Sequence, residues 1–102
     1  TATLYNDEME AKAITLAGMH TVPVNSLKGF YGHTLGAAGI IESIIAMQSI
    51  KKGVLLPTKG FEQLGVPVTL NVSAASRKAT IKNVLKTASG FGGCNAALLM
   101  QQ

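Results

Sequence analysis

The residues best suited to chemistry fall in two glycine-rich stretches. His33 stands in Gly32-His33-Thr34-Leu35-Gly36-Ala37-Ala38-Gly39, with Lys28 five residues before it and Glu42 nine residues after it. A neutral imidazole at the positive end of a helix can donate a hydrogen bond to a developing oxyanion without first losing a proton. The plainer alternative is a loop histidine satisfied by backbone. Lys28 would add positive charge to a site handling anionic intermediates, or would simply be solvated. Glu42 is the one charge in the apolar run from Leu35 to Ile50. Buried, such a carboxylate needs a cationic partner or an ion; exposed, it would form a surface stripe with Ser49.

The second stretch is Gly90-Phe91-Gly92-Gly93. Glycine reaches positive φ at no steric cost, so successive backbone N–H groups can turn toward one oxyanion. An ordinary tight turn would need the same residues. Cys94 follows directly, and with His33 it would make a cysteine-hydrolase pair. Yet it opens an apolar run with no neighbouring charge to stabilise a thiolate, so a buried, structural cysteine is expected. His20 reads as a surface residue after a helix end.

These groups need elements to hold them. Asn6-Asp7-Glu8 sets a capping residue and two carboxylates ahead of the stripe Met9, Ala13, Ile14, Leu16 and Ala17, which predicts a helix near 6–18. Thr21 to Ser26 reads as a short strand broken by Pro23, and Leu27 to Gly32 as a loop. From Thr34 to the stop at Lys51-Lys52-Gly53 the pattern is apolar nearly all round, which predicts a buried helix. Residues 54–65 read as loop, Val66 to Val72 as strand, and Ser73 to Thr80 as an exposed basic segment. Asn83–Ala88 and Asn95–Met100 are strands joined by the turn Ser89–Gly93, and the second strand lacks polar alternation, as strands inside layered sheets do.

Composition sets the outer limits. The chain has 102 residues, 47% apolar and 14% charged, and 11 glycines. A small domain with so few charges cannot cover its own surface, so a large face is expected to meet other protein. The length allows one domain at most. The net charge is +4, with seven of the nine basic residues beyond position 50. No basic run exceeds Lys51-Lys52 and there are five aromatics, so nucleic acid is excluded as a partner and an acidic protein fits better. One cysteine makes no internal disulfide, and no stretch reads as a signal or a membrane span, so the cytoplasm is expected.

With these residues in view, the sequence resembles the C-terminal part of a β-ketoacyl-acyl carrier protein synthase, a condensing enzyme of the thiolase superfamily. The resemblance rests on Lys28 followed by Gly32 to Gly39 and Glu42, and on the closing Gly90 to Asn95; Asn6-Asp7, Glu10-Ala11 and Pro57-Thr58 add to it. It implies an α/β fold, the C-terminal half of a thiolase-like layered α/β/α/β/α sandwich with a mixed sheet, in one piece over 1–102. The implied reaction is decarboxylative Claisen condensation of an acyl thioester with malonyl-acyl carrier protein, without cofactor.

By the same resemblance His33 stabilises the enolate left by decarboxylation, Lys28 holds the polar network around it, and the Phe91 N–H forms half of an oxyanion hole while its ring gates the acyl pocket. Cys94 stands where threonine is usual, so the nucleophilic cysteine is expected upstream. Thr1-Ala2-Thr3 resembles the end of the run that carries the family's first active-site histidine, which would put the start of the chain just after that residue. The isolated chain is then expected to be inactive. Acyl carrier protein, the rest of the synthase and a second copy are the implied partners, with no membrane or nucleic acid. Some members hold a structural cation at the positions of Glu42 and Asn95, with serine where this chain has Lys86. Either Lys86 stands in for that ion or it points to solvent. A non-catalytic partner of the same fold, of the chain-length-factor kind, is the alternative function.

Overall fold

In the computed structural model, residues 3–59 and 70–102 are described, and they fall into two compact units. The first runs to His33 and resumes at Pro57–Ala75; the second comprises Thr34–Leu56 and Ser76–Gln102.

The first unit opens with helix α1, Leu4–Leu16. It begins two residues earlier than the Asn6 signal predicts. Thr3 takes the extended capping conformation and its carbonyl accepts the Asp7 N–H at 3.0 Å, while Asn6 lies inside the first turn and donates to Glu10 Oε2 at 3.3 Å. The end is closed by Gly18 N–H to Thr15 O and Met19 N–H to Ile14 O, a Schellman arrangement that satisfies two of the end carbonyls. The helix buries Ala11 rather than the predicted stripe: Met9 and Leu16 stand outward, Leu16 at 88% exposure.

No full strand forms at Thr21 to Ser26. A single parallel bridge joins Val24 to Val72, with Val24 N–H on Asn71 O at 2.8 Å and Ser73 N–H on Val24 O at 2.9 Å. The next rung, Ser26 N–H to Ser73 O, does not form because Thr58 takes both groups: its Oγ1 accepts the Ser26 N–H at 3.0 Å and its N–H donates to Ser73 O at 2.7 Å. The predicted strand residues 66–69, like Thr1, Ala2 and the later part of the 54–65 segment, lie outside the described residues. The expected loop from Leu27 instead contains a single helical turn, α2, Lys28–Tyr31.

The second unit is built on helix α3, Ala38–Lys52, preceded by a 3₁₀ turn at Leu35–Ala37. Gly53, at φ 65°, ends it as predicted, and Lys51 and Lys52 lie in its last turn, where cations meet the negative end of the helix dipole. The start of the expected 54–65 loop is the short strand β1, Val54–Leu55, paired antiparallel with β2, Arg77–Lys78. Strands β3, Asn83–Ser89, and β4, Asn95–Gln101, form an antiparallel hairpin close to the predicted bounds. Its register pairs Lys86 with Leu98 and Ser89 with Asn95. Strand β3 packs on α3, and Val84 and Lys86 are its half-buried residues.

The fold is therefore α/β, and among the described residues both two-stranded sheets are antiparallel, Val24–Val72 being the one parallel contact. The expectation of a wholly buried α3 fails within this chain. Glu42 and Ile50 are buried, but Ile40, Ile44 and Met47 are 66%, 49% and 50% exposed, because β3 covers one side of the helix only. The apolar β4 is likewise open, with Leu98 and Leu99 at 51% and 60%.

Candidate active site

In the first unit the chain around Lys28 is held from a distant segment. Thr58 Oγ1 accepts the Ser26 N–H at 3.0 Å, Thr58 N–H donates to Ser73 O at 2.7 Å, and Ser26 Oγ accepts the Lys28 N–H at 3.5 Å. Lys59 then crosses α2, its ammonium 5.7 Å from the Phe30 ring centroid. That approach requires glycine at position 29, since a Cβ there would lie 2.6 Å from the Lys59 carbonyl oxygen. Lys28 is half-buried at the start of this turn and His33 is exposed two residues beyond its end. The support from Thr58 and Lys59 comes from residues distant in sequence, which no local pattern announces. The Pro57-Thr58 pair is its one visible signal.

His33 lies in an unusual piece of backbone. Gly32 before it has φ 81°, and Leu35 after it has φ 52°, the one non-glycine residue with positive φ among those described. A branched side chain there costs on the order of 1–3 kcal/mol, and such strain gathers at functional sites. In the second unit, Thr34 Oγ1 is buried without a hydrogen-bond partner, a further cost of about 1–3 kcal/mol. The expected setting of His33 directly at a helix start needs correction, because Thr34 and the 3₁₀ turn intervene before α3.

The second unit brings together two of the sequence candidates. Lys86 Nζ lies 3.1 Å from Glu42 Oε1, with the two side chains 16% and 9% exposed. The same ammonium donates to the Thr87 carbonyl. Glu42 is thus the buried carboxylate, and Ser49 is occupied elsewhere, donating to Ile45 O at 3.1 Å.

At the end of β3 the turn is closed by Gly90 N–H to Cys94 O at 2.7 Å, and Gly92 and Gly93 have φ 87° and 86°. No L-residue with a Cβ takes two successive such angles without strain, so the glycines are a requirement of the turn. Phe91 projects from it with 99% of its surface exposed. Cys94 is exposed, against the expectation of a buried cysteine, because it sits at the mouth of an uncovered hairpin. Asn95 begins β4. Since side chains alternate along a strand, the register sets Asn95 and Ser89 on the hairpin face opposite to Lys86 and Leu98.

These features accompany a clear relationship to known proteins. The profile of the β-ketoacyl synthase, C-terminal domain, matches residues 1–62, which take in Lys28, His33 and Glu42. The chain belongs to that family. It is 37% identical over its whole length to a mitochondrial candidate 3-oxoacyl-(acyl-carrier-protein) synthase of Schizosaccharomyces pombe, covering 26% of that protein. It is 33% identical over 99% of its length to a polyketide-biosynthesis malonyl-ACP decarboxylase of Bacillus subtilis, covering 24% of it. With 3-oxoacyl-(acyl-carrier-protein) synthase 1 of Escherichia coli it shares 31% identity over its whole length and 26% of that enzyme. The chain spans about a quarter of the length of these curated relatives. No helix among the described residues is long and apolar enough to cross a membrane.

Proposed function

We propose that the chain supplies the C-terminal part of a β-ketoacyl-acyl carrier protein synthase acting in fatty acid or polyketide biosynthesis. The observation that carries this reading is the single family match over residues 1–62, centred on the strained Gly32–Leu35 segment around His33. In the complete enzyme a malonyl thioester loses CO₂, and the electron pair left behind forms an enolate. His33 donates a hydrogen bond to the enolate oxygen, and Lys28 holds the polar groups around it. The enolate carbon attacks an acyl group carried as a thioester by a cysteine outside this chain. The Phe91 N–H shares the resulting oxyanion with a second donor, and collapse expels the cysteine thiolate and leaves a 3-oxoacyl thioester on the carrier. The exposed Phe91 ring gates the acyl pocket. No redox step enters this sequence.

The reading extends to the surroundings. The rest of a layered α/β/α/β/α sandwich would cover the open sides of α3 and β4, and a second copy would complete a homodimer. An acidic acyl carrier protein would meet the basic surface of the second unit, where the pairing of β1 with β2 places Arg77 and Lys78 alongside the strand that follows Lys51 and Lys52. A cytoplasmic setting accords with the single cysteine.

A second reading follows from the relative named as a malonyl-ACP decarboxylase: decarboxylation without bond formation. Two measurements on the complete protein test these readings: both half-reactions in His33→Ala, and CO₂ release against condensed product in the unmodified protein. Loss of one oxyanion donor costs about 10²–10³-fold. Release of CO₂ from malonyl-carrier should fall by that factor while acylation of the cysteine stays intact. Equal damage to both half-reactions would mean that His33 only holds the fold, and CO₂ release by the unmodified protein without a condensed product would establish the decarboxylase.

A further inference from the structure

The family resemblance implies a structural cation held by residues at the positions of Glu42 and Asn95, and two observations show that this chain does not fit one. The Lys86 ammonium already lies 3.1 Å from Glu42 Oε1, with 16% of the Lys86 side chain and 9% of the Glu42 side chain exposed. A metal ion bound to the same oxygen at about 2.0–2.6 Å would sit in the ammonium's place or press against it as a like charge. The second supposed ligand is turned away. Lys86 pairs with Leu98 and Asn95 with Ser89, so alternation along the hairpin puts Asn95 on the other face.

We propose that Lys86 is a built-in counter-cation, which closes the Glu42 corner to metal ions and fixes β3 on α3 through a charge carried by the chain itself. The ammonium is satisfied in that position: it donates to the Glu42 carboxylate and to the Thr87 carbonyl, leaving one of its three protons for other acceptors. An ammonium on a tether also cannot diffuse away, so dilution or chelation does not empty the corner. This inference rests on the ion pair and the family membership, and it is independent of whether the protein condenses or only decarboxylates.

The test uses the complete protein. Its thermal unfolding midpoint is measured at constant ionic strength in choline chloride after treatment with a chelator, then with sodium, potassium, magnesium or calcium chloride titrated in. The midpoint should not depend on which cation is present. Lys86→Ala should lower the midpoint in choline chloride, and a short alkylammonium ion or a small metal cation should restore it saturably, choline being too large to enter. A saturable rise of the unmodified protein's midpoint with any one metal cation, abolished by Glu42→Gln, overturns the proposal. So does a Lys86→Ala variant that is as stable as the parent in choline chloride or that responds to no cation. If Lys86→Ala does not fold in any salt, the salt series on the unmodified protein decides alone: a flat series supports the proposal and a saturable one refutes it.

Discussion

Lys86→Met keeps most of the side chain's bulk and removes its charge, so it isolates what the ammonium does for Glu42. The carboxylate it would leave behind belongs to a residue only 7% exposed. Removing one member of a buried pair costs about 3–5 kcal/mol, mostly because the other charge stays desolvated. Here the lower end applies, since 16% of the Lys86 side chain still meets water. A cost of about 3 kcal/mol is roughly a 10²-fold increase in the opening equilibrium of the segment. Native-state hydrogen exchange reads this locally: the amides of β3, and those of α3 around Glu42, should exchange on the order of a hundred times faster in the complete protein. Lys86→Met combined with Glu42→Leu should recover most of that loss, because an apolar pair of similar volume is close to neutral. Lys82→Met supplies the control, being an exposed lysine one residue before the same strand, where substitutions stay within about 0.5 kcal/mol. Exchange in Lys86→Met no faster than in Lys82→Met would refute the argument.

Two further outcomes follow from the geometry. Thr58→Val keeps the shape of the side chain but leaves the Ser26 N–H without its acceptor, so local stability at Ser26 to Tyr31 should fall by about 1–2 kcal/mol; unchanged exchange of the Ser26 amide would remove Thr58 as the support of this turn. Reversing the charges of Lys51, Lys52, Arg77 and Lys78 to Glu should raise the apparent KM for carrier-bound substrate severalfold at low salt, with the difference shrinking as salt is added. An unchanged KM at low salt would exclude that surface.

Where neighbouring residues decide the structure, the sequence was readable. The hairpin was expected at Asn83–Ala88 and Asn95–Met100 and stands at Asn83–Ser89 and Asn95–Gln101, because two β-rich runs around a glycine turn carry all the information locally. The stop of α3 at Gly53 follows from the same kind of signal. The turn Lys28–Tyr31, where the local pattern predicts a loop, is the opposite case. What holds it is a hydroxyl 32 residues away from Ser26 and a lysine laid across Gly29, and no local period announces either. The apolar run that Cys94 opens predicts a buried thiol, yet at the hairpin edge it is exposed to water.

Burial in α3 shows the limit most sharply. Hydropathy ranks Glu42 among the residues of α3 least suited to the interior and Ile40, Ile44 and Met47 among the best, whereas Glu42 is 7% exposed and those three are about half exposed or more. The spacing of the three, at i, i+4 and i+7, makes one stripe, and Glu42 lies off it on the side that meets β3. A helix apolar all round needs cover all round, and the pattern states that need without saying which side any one strand will take. Strand β3 lies on the side with the charge and brings an ammonium to meet it, so the carboxylate is paired where it is desolvated. The burial of Glu42 is therefore answered by a partner 44 positions away, and only the two read together reveal it.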